Sequence, residues 1–540
     1  MPELITTLRR GIRLPPSGWM LAVMLALYVL AGLFGRDPWK GEDAIHLGAA
    51  WEMLSTGDLL HPAIAGRPFH EPPLYYWTAA LSGWLLGDWL PVHEAMRLAS
   101  GLWIALTLAG LYYAGREFFG QTQAAASPLL LAGCAGLLIH AHDAQPMLIA
   151  LAAYSAALGA FAALGRKPQL TGPIYALSLA SCLLGAGVAP SLPLLAMLPV
   201  AWWLAEDRRI AGHTLLIGLG LALLLVAPWL LAVYSTTPAR LTGWLSMELQ
   251  PLRTPFSPGG LGRFLALLPW FAFPALPLAL WSLWLARRQW AASPLRLPFI
   301  FLLMTVLLLA WAYRPREIPA LLLLPSLALL ATPGALKLRR GAASAFDWFA
   351  MTTFSIFAGL VWLAWSAMAL GWPQQLAGRV TALRPGFVGQ FDLSDVLVGL
   401  AASAWWLWLI LTAPRSPYRS LTHWTLGFTM LWLLATSLIL PWFDYGKSYR
   451  PVAEQIARAL PDSERCLAEQ GLTDGQRASL AYFVGLRPVA RQSSDGGRCR
   501  WLLVVGQNSR ELAAPDDRWQ LRWEGSRPGD RREKLRLYHR

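Results

Sequence analysis

The chain has 540 residues, 56% of them hydrophobic and only 14% charged, with a mean hydropathy of +0.42. That balance excludes a string of soluble domains and indicates a polytopic α-helical membrane protein. The net charge of +14 is no sign of a nucleic-acid partner, because the basic residues are dealt out between apolar stretches, loop by loop.

Apolar stretches near 18–35, 94–114, 124–140, 146–164, 173–188, 190–205, 212–234, 262–286, 297–313, 317–332, 345–371, 394–412 and 424–442 are expected to span the bilayer. That makes about thirteen, several of them short against the ~20 residues a typical span needs. Residues 74–90 are apolar too and are expected as an interfacial helix. Arg9, Arg10 and Arg13 precede the first span. Arg116, Arg166 with Lys167, Arg208 with Arg209, Arg287 with Arg288, Lys337 with Arg339 and Arg340, and Arg415 with Arg419 then fall in every second loop. This positive-inside pattern places the N-terminus in the cytoplasm, and the loop 36–77 and the C-terminal tail on the outer face. No small-residue cleavage site follows the first span, so it reads as a retained anchor. The 29 tryptophans fit interfacial belts. No Walker loop, dinucleotide-binding turn or spaced Cys/His metal cluster is present in the sequence, which argues against an ATP-driven pump.

The loop after the first span, RDPWKGEDAIHLGAAWEMLSTGDLLHPAIAGRPFHEPPLYYW (36–77), crowds acids, histidines and Lys40 beside a bilayer. Such a cluster is costly near lipid without compensation by water, a substrate or a partner charge. Leu47, Ala50, Trp51 and Leu54 fall at helical spacing, predicting an amphipathic helix over 42–55 on the membrane surface, stopped by Gly57. Glu42 and Asp43 occupy its first turn, where free amides favour carboxylates. On spacing alone they serve as helix caps or as a general base, with the cap the simpler account.

The succession of acid pair, WEML, STGDLL, HPAIAGRPF and EPPLYYW resembles the first outer loop of GT-C glycosyltransferases, in particular the lipid A aminoarabinose transferase and protein O-mannosyltransferase relatives. The resemblance implies a GT-C membrane fold and makes Glu42, with Asp43 beside it, the base that activates an acceptor hydroxyl. The chain departs from the family pattern in two places. The acid pair is Glu-Asp where relatives have Asp-Glu, and His70 and Glu71 stand where relatives have Glu-Lys before the double proline. A positive charge for the donor phosphate must therefore come from elsewhere.

Three further segments are expected on the same face. His140, His142, Asp143 and Gln145 lie between the third and fourth spans. Asp143 is a shifted counterpart of a second family acid, and an Asp beside two His suits either a divalent metal ion or a hydrated turn. YRPREIPALLLLP resembles the family's Arg-rich segment, and its Arg314 and Arg316 break the charge alternation. A lipid phosphate explains that break, as does pairing with Glu317 or headgroups. Residues 234–263 carry Arg240, Glu248, Arg253 and Arg263, and read as a cover over the donor site that moves about Gly259-Gly260.

From Asp444 the chain turns polar. Helices at 449–460 and 476–485 and strands at 465–469, 499–506, 518–524 and 534–539 predict a small α/β domain over 444–540, apart from a membrane domain over 1–443. Cys134 and Cys182 fall in apolar spans and read as core. Cys466 and Cys499, on what read as neighbouring strands in an oxidising compartment, are expected to pair.

The expectation is a glycosyltransferase of the bacterial inner membrane that moves a sugar, with inversion, from a polyprenyl-phosphate donor to a hydroxyl of lipid A, another glycolipid or a protein. Glu42 would take the proton, and Lys40, Arg314 and Arg316 would meet the phosphate. Asp43, His70, Glu71, His142 and Asp143 would orient the acceptor or hold a divalent metal ion. The alternative is a transporter or flippase of a lipid-linked sugar, which needs the arginines and no base. The paired, broken half-helices of many transporters are not evident in the sequence.

Overall fold

The computed structural model describes residues 18–253, 258–313, 316–414, 416–461, 466–530 and 532–540. Six helices within it are long and apolar enough to cross a membrane: Val92–Phe119, Arg208–Thr236, Glu317–Leu336, Arg340–Ala369, Leu393–Thr412 and Arg419–Lys447. Gly18–Leu30, Met147–Ala163, Val188–Leu204 and Arg296–Ala312 are shorter apolar helices beside them, and Pro168–Gly185 packs in the same bundle. On the Arg208–Thr236 helix, Leu216, Leu223, Leu224 and Leu231 point outward, a face suited to lipid. Its opposite face carries Gly218, where a Cβ would come 3.0 Å from the Gly172 carbonyl. Small residues thus let two helices approach closely.

Each expected span coincides with helical structure, but two are not single rods. The 124–140 stretch divides into Ala126–Ala132 and Ala135–His140. At the break the Gly133 carbonyl leaves the helical ladder and accepts the Trp424 indole N–H at 2.8 Å. The 262–286 stretch becomes two helices bent by 101°. Pro274 has no N–H to continue the first helix and caps the second. The bend lays the Phe271 ring on Gly136, where a Cβ would sit 2.3 Å from it.

The helix expected over 42–55 spans Glu42–Thr56 and stops where Gly57 turns left-handed, its N–H donating to the Met53 carbonyl. It does not lie on an open membrane surface. Gly48 packs so closely on Ala478 that an added Cβ would be 2.3 Å from the alanine methyl. The helix is therefore held between the Leu74–Leu86 helix on one side and the Asp474–Val484 helix of the tail on the other. The apolar spacing that signalled a membrane-facing stripe serves protein contacts on both sides. Residues 63–68 form a hairpin, β1 (Ala63–Ile64) with β2 (Arg67–Pro68).

The tail is a five-stranded sheet of β3 (Leu467–Gln470), β4 (Val489–Ala490), β5 (Trp501–Gly506), β6 (Gln520–Gly525) and β7 (Lys534–His539). Its order is β4-β3-β5-β7-β6. β3 runs parallel to β4 and β5, and β7 antiparallel to β5 and β6. The short β4 was not expected from the sequence. Alternation divides the faces: Leu503 and Leu537 pack with Ile456 and Leu480 of the helices, while Leu502, Val504 and Tyr538 pack with Cys499 and Trp519. Cys466 and Cys499 are joined by a disulfide. The tail grips the loop through Arg67 to Glu469 at 2.7 Å and Arg487 to Glu52 at 2.8 Å. Arg450 Nε adds a bond to Asp37 Oδ2 at 2.8 Å.

Candidate functional site

The first turn of the Glu42–Thr56 helix points its two acids in opposite directions. Asp43 turns inward. Its carboxylate accepts from Arg97 Nη2 at 3.0 Å, the Trp39 N–H at 3.0 Å and the Ala144 N–H at 2.8 Å, with Arg36 Nη1 at 3.4 Å. Burial alone would raise its pKa, but the Arg97 and Arg36 guanidinium groups overrule that and hold it well below the usual carboxylate range. Asp143 accepts from Arg36 Nη2 at 2.9 Å. Asp43 and Asp143 are thus the anions of one network with Arg36 and Arg97, which fixes the loop to the Val92–Phe119 helix.

Glu42 turns outward onto a cavity of about 570 Å³. Its Oε2 is 3.2 Å from His46 Nε2. That hydrogen bond holds its pKa below the usual value against the opposing effect of burial, and the charges of His46, Arg316 and His140 act the same way. The same cavity is lined by Arg316, Tyr313, Gln145, His70, Glu71 and Glu248. Glu317 pairs with His140 at 3.3 Å, and among the described residues Arg316 has no carboxylate partner. Arg314 lies outside the described residues. Burial pushes the Glu71 carboxyl up to about 8, and Glu248 and Glu42 push the same way. Glu248 is also raised by burial, partly offset by the Val188 N–H that donates to it at 2.7 Å. The cavity therefore holds one acid whose charged form is favoured, Glu42, beside two whose charged forms are disfavoured.

The structure brings together Glu42, His70, Glu71 and Arg316 from the residues singled out in the sequence. Lys40 is not on the cavity; its ammonium leans toward Asp530 of the tail at 3.9 Å. His142 is not there either. It is buried, with its ring nitrogens 2.8 Å from the Leu138 and Tyr28 carbonyls, so neither nitrogen is open to an acceptor or a metal. Asp143 is committed to Arg36. Among the described residues no group of three His, Cys, Asp or Glu side chains could hold a metal ion. Gly259 and Gly260 are helical, within Pro258–Phe271, and not a hinge in an open loop. Glu248, Tyr313 and Gln145 were not assigned roles from the sequence. Arg97, a fully buried arginine in an apolar stretch, did carry a signal, because a charge in a span demands a partner.

A multi-span helical bundle whose acid-bearing loop is clasped by a small C-terminal sheet domain has the GT-C fold. The structure is similar over 96% of the chain to ArnT from Cupriavidus metallidurans bound to undecaprenyl phosphate, with a TM-score of 0.70, 19% identity and 98% of that chain covered. Its apo state gives a TM-score of 0.67 at 18% identity, covering 96% of this chain and 98% of that one. In sequence, 231 residues are 29% identical to undecaprenyl phosphate-alpha-4-amino-4-deoxy-L-arabinose arabinosyl transferase 1 of Sodalis glossinidius (strain morsitans), over 41% of this chain and 40% of that protein. The undecaprenyl phosphate-alpha-4-amino-4-deoxy-L-arabinose arabinosyl transferase of Serratia proteamaculans (strain 568) is 28% identical over 235 residues, 41% of this chain and 40% of that one. The chain thus matches about two fifths of the length of these curated relatives. No family model matches it.

Proposed function

We propose that this chain is a membrane glycosyltransferase that transfers an amino-pentose from undecaprenyl phosphate, or a close polyprenyl phosphate, to a hydroxyl-bearing acceptor such as lipid A. The observation that carries the reading is that Glu42 and Arg316 line one cavity, with the Arg316 charge acting on the Glu42 carboxylate. A displacement of this kind needs a base on one side of the anomeric carbon and a cation on the other. The acceptor oxygen attacks that carbon while its proton passes to Glu42. The bond from the carbon to the phosphate oxygen breaks, and Arg316 meets the charge that develops there. The sugar leaves with inverted configuration.

The donor names of the relatives and the acids of the cavity support an amino sugar. Glu71 and Glu248 are two carboxyls on the cavity whose charged forms are disfavoured there, and an ammonium on the sugar would give them a partner cation. The alternating basic loops support a cytoplasmic N-terminus, with the cavity and tail on the periplasmic side of the inner membrane.

The test is purified protein in liposomes with undecaprenyl-phosphate aminoarabinose and lipid A, read by mass spectrometry. Addition of one pentosamine to lipid A is expected. Movement of the donor across the bilayer without transfer would favour a flippase and sink the reading.

A further inference from the structure

We infer that His46 is the positioning residue for Glu42, a tethered imidazole that fixes one carboxylate oxygen and leaves the other free for the acceptor proton; this rests on Glu42 being the base. His46 lies one helical turn after Glu42, so both side chains rise on one face. The ring is only 6% exposed. It stacks on Tyr76, with centroids 6.0 Å apart and planes at 26°, and Phe69 lies 6.1 Å away. Both nitrogens are engaged: Nε2 is 3.2 Å from Glu42 Oε2, and Nδ1 is 2.9 Å from the Tyr76 hydroxyl.

These contacts decide where the proton sits. A carboxylate at Nε2 needs a donor there, so a neutral imidazole carries its proton on Nε2 and presents a lone pair at Nδ1. The Tyr76 O–H fills that lone pair. The other tautomer would set a lone pair against an anion. The resulting chain, Tyr76 O–H to His46 Nδ1 and His46 Nε2–H to Glu42, holds Oε2 in place. During transfer the acceptor proton goes to the other oxygen, and His46 keeps its own. If the ring takes up a second proton, Tyr76 turns from donor to acceptor and the bond to Glu42 persists. The contact therefore survives at every pH where Glu42 is ionised.

The groups that could mimic this effect can be named. From the Leu74–Leu86 helix, Tyr75 and Tyr76 face the ring. From the loop, Glu71 acts on both Glu42 and Tyr76. From other segments, Arg316 and His140 act on Glu42. None of these supplies a hydrogen bond to Glu42 among the described residues, so loss of His46 removes a contact the others do not replace.

The experiment is a pH titration of carbodiimide modification at Glu42, located by mass spectrometry, on the full chain in nanodiscs. Carbodiimide attacks the protonated carboxyl, so the half-modification pH reports ionisation whether or not the protein is turning over. In His46→Leu it should rise by about one to two pH units, the loss of one charge-assisted hydrogen bond. In His46→Gln, whose amide can donate from nearly the same point, it should stay close to the wild-type value. Modification of Glu248 serves as the check that the cavity is intact. The acid limb of kcat should move upward with Glu42 in His46→Leu, with KM unchanged. An unmoved Glu42 titration in His46→Leu, or an equal shift in His46→Gln, would overturn the assignment. Failure of the wild-type protein to transfer sugar would overturn the proposed function instead, and the Glu42 titration still decides the role of His46.

Discussion

Arg97 Nη2 lies 3.0 Å from Asp43 Oδ2, and neither side chain meets solvent. The pair, with Arg36 beside it, joins the acid loop to a membrane helix and so fixes the direction in which the neighbouring Glu42 faces. Buried ion pairs add little net stability, but removing one partner strands the other charge.

Asp43→Asn should therefore destabilise the protein by about 3–5 kcal/mol, because it leaves Arg36 and Arg97 without their shared anion. The same change at Glu42, half exposed on the cavity, should leave the melting temperature near the wild-type value. Thermal unfolding of the two variants in one detergent compares them; equal losses would show that the two acids do not divide the work this way.

Arg316→Ala should weaken donor binding by about 1.5–3 kcal/mol while expression and melting temperature stay the same. The guanidinium faces the cavity and, among the described residues, holds no carboxylate whose loss would unfold anything. Titration with a polyprenyl-phosphate sugar measures it. An unchanged affinity would return Arg316 to lipid headgroups.

Glu71 makes stability depend on pH with a definite sign. Its folded pKa, about 8, lies above its ordinary value of 4.5, so between those values the folded chain holds a proton that the unfolded chain has released. Stability is then lost as pH rises through that window. Glu71→Gln abolishes this contribution, so its advantage in melting temperature over the wild type should grow from pH 5 to pH 8. An advantage that does not change with pH would show that Glu71 is ionised in the fold.

The disulfide between Cys466 and Cys499 closes a sequence separation of 33 residues, for which the chain-entropy model gives about 3–4 kcal/mol. Cys466→Ser should destabilise the tail and, through the Arg67 and Arg487 bridges, loosen the acid loop. Thiol labelling of the denatured, unreduced protein tests the bond directly: label on both tail cysteines would show it absent.

Much of this fold was legible because burial imposes a period. Thirteen apolar stretches and the alternation in the tail sheet mark their elements within a few residues. Of the two broken stretches, the one at Gly133 was not legible, since its carbonyl is taken by Trp424, an indole 291 residues away; the other breaks at Pro274, and what its bend achieves, laying Phe271 on Gly136, shows only in the fold. The acid pair was visible as a pair, but spacing gives no direction to a side chain. Which acid faces the cavity was settled by Arg36 and Arg97, one of them 54 residues away from Asp43. Lys40 and His142 show the same limit, each close in sequence to the site yet turned toward the tail or the core. His46 lay in plain view at helical spacing from Glu42, but its role depends on a tyrosine 30 residues on.

The central claim is that Glu42 is the proton acceptor of a sugar transfer. Its most direct measurement is the rate at which Glu42→Gln protein in liposomes transfers aminoarabinose from undecaprenyl phosphate to lipid A, beside donor affinity in the same preparation. Transfer should fall by about 10²- to 10⁴-fold with donor affinity unchanged. Transfer at the wild-type rate by the folded variant would contradict it.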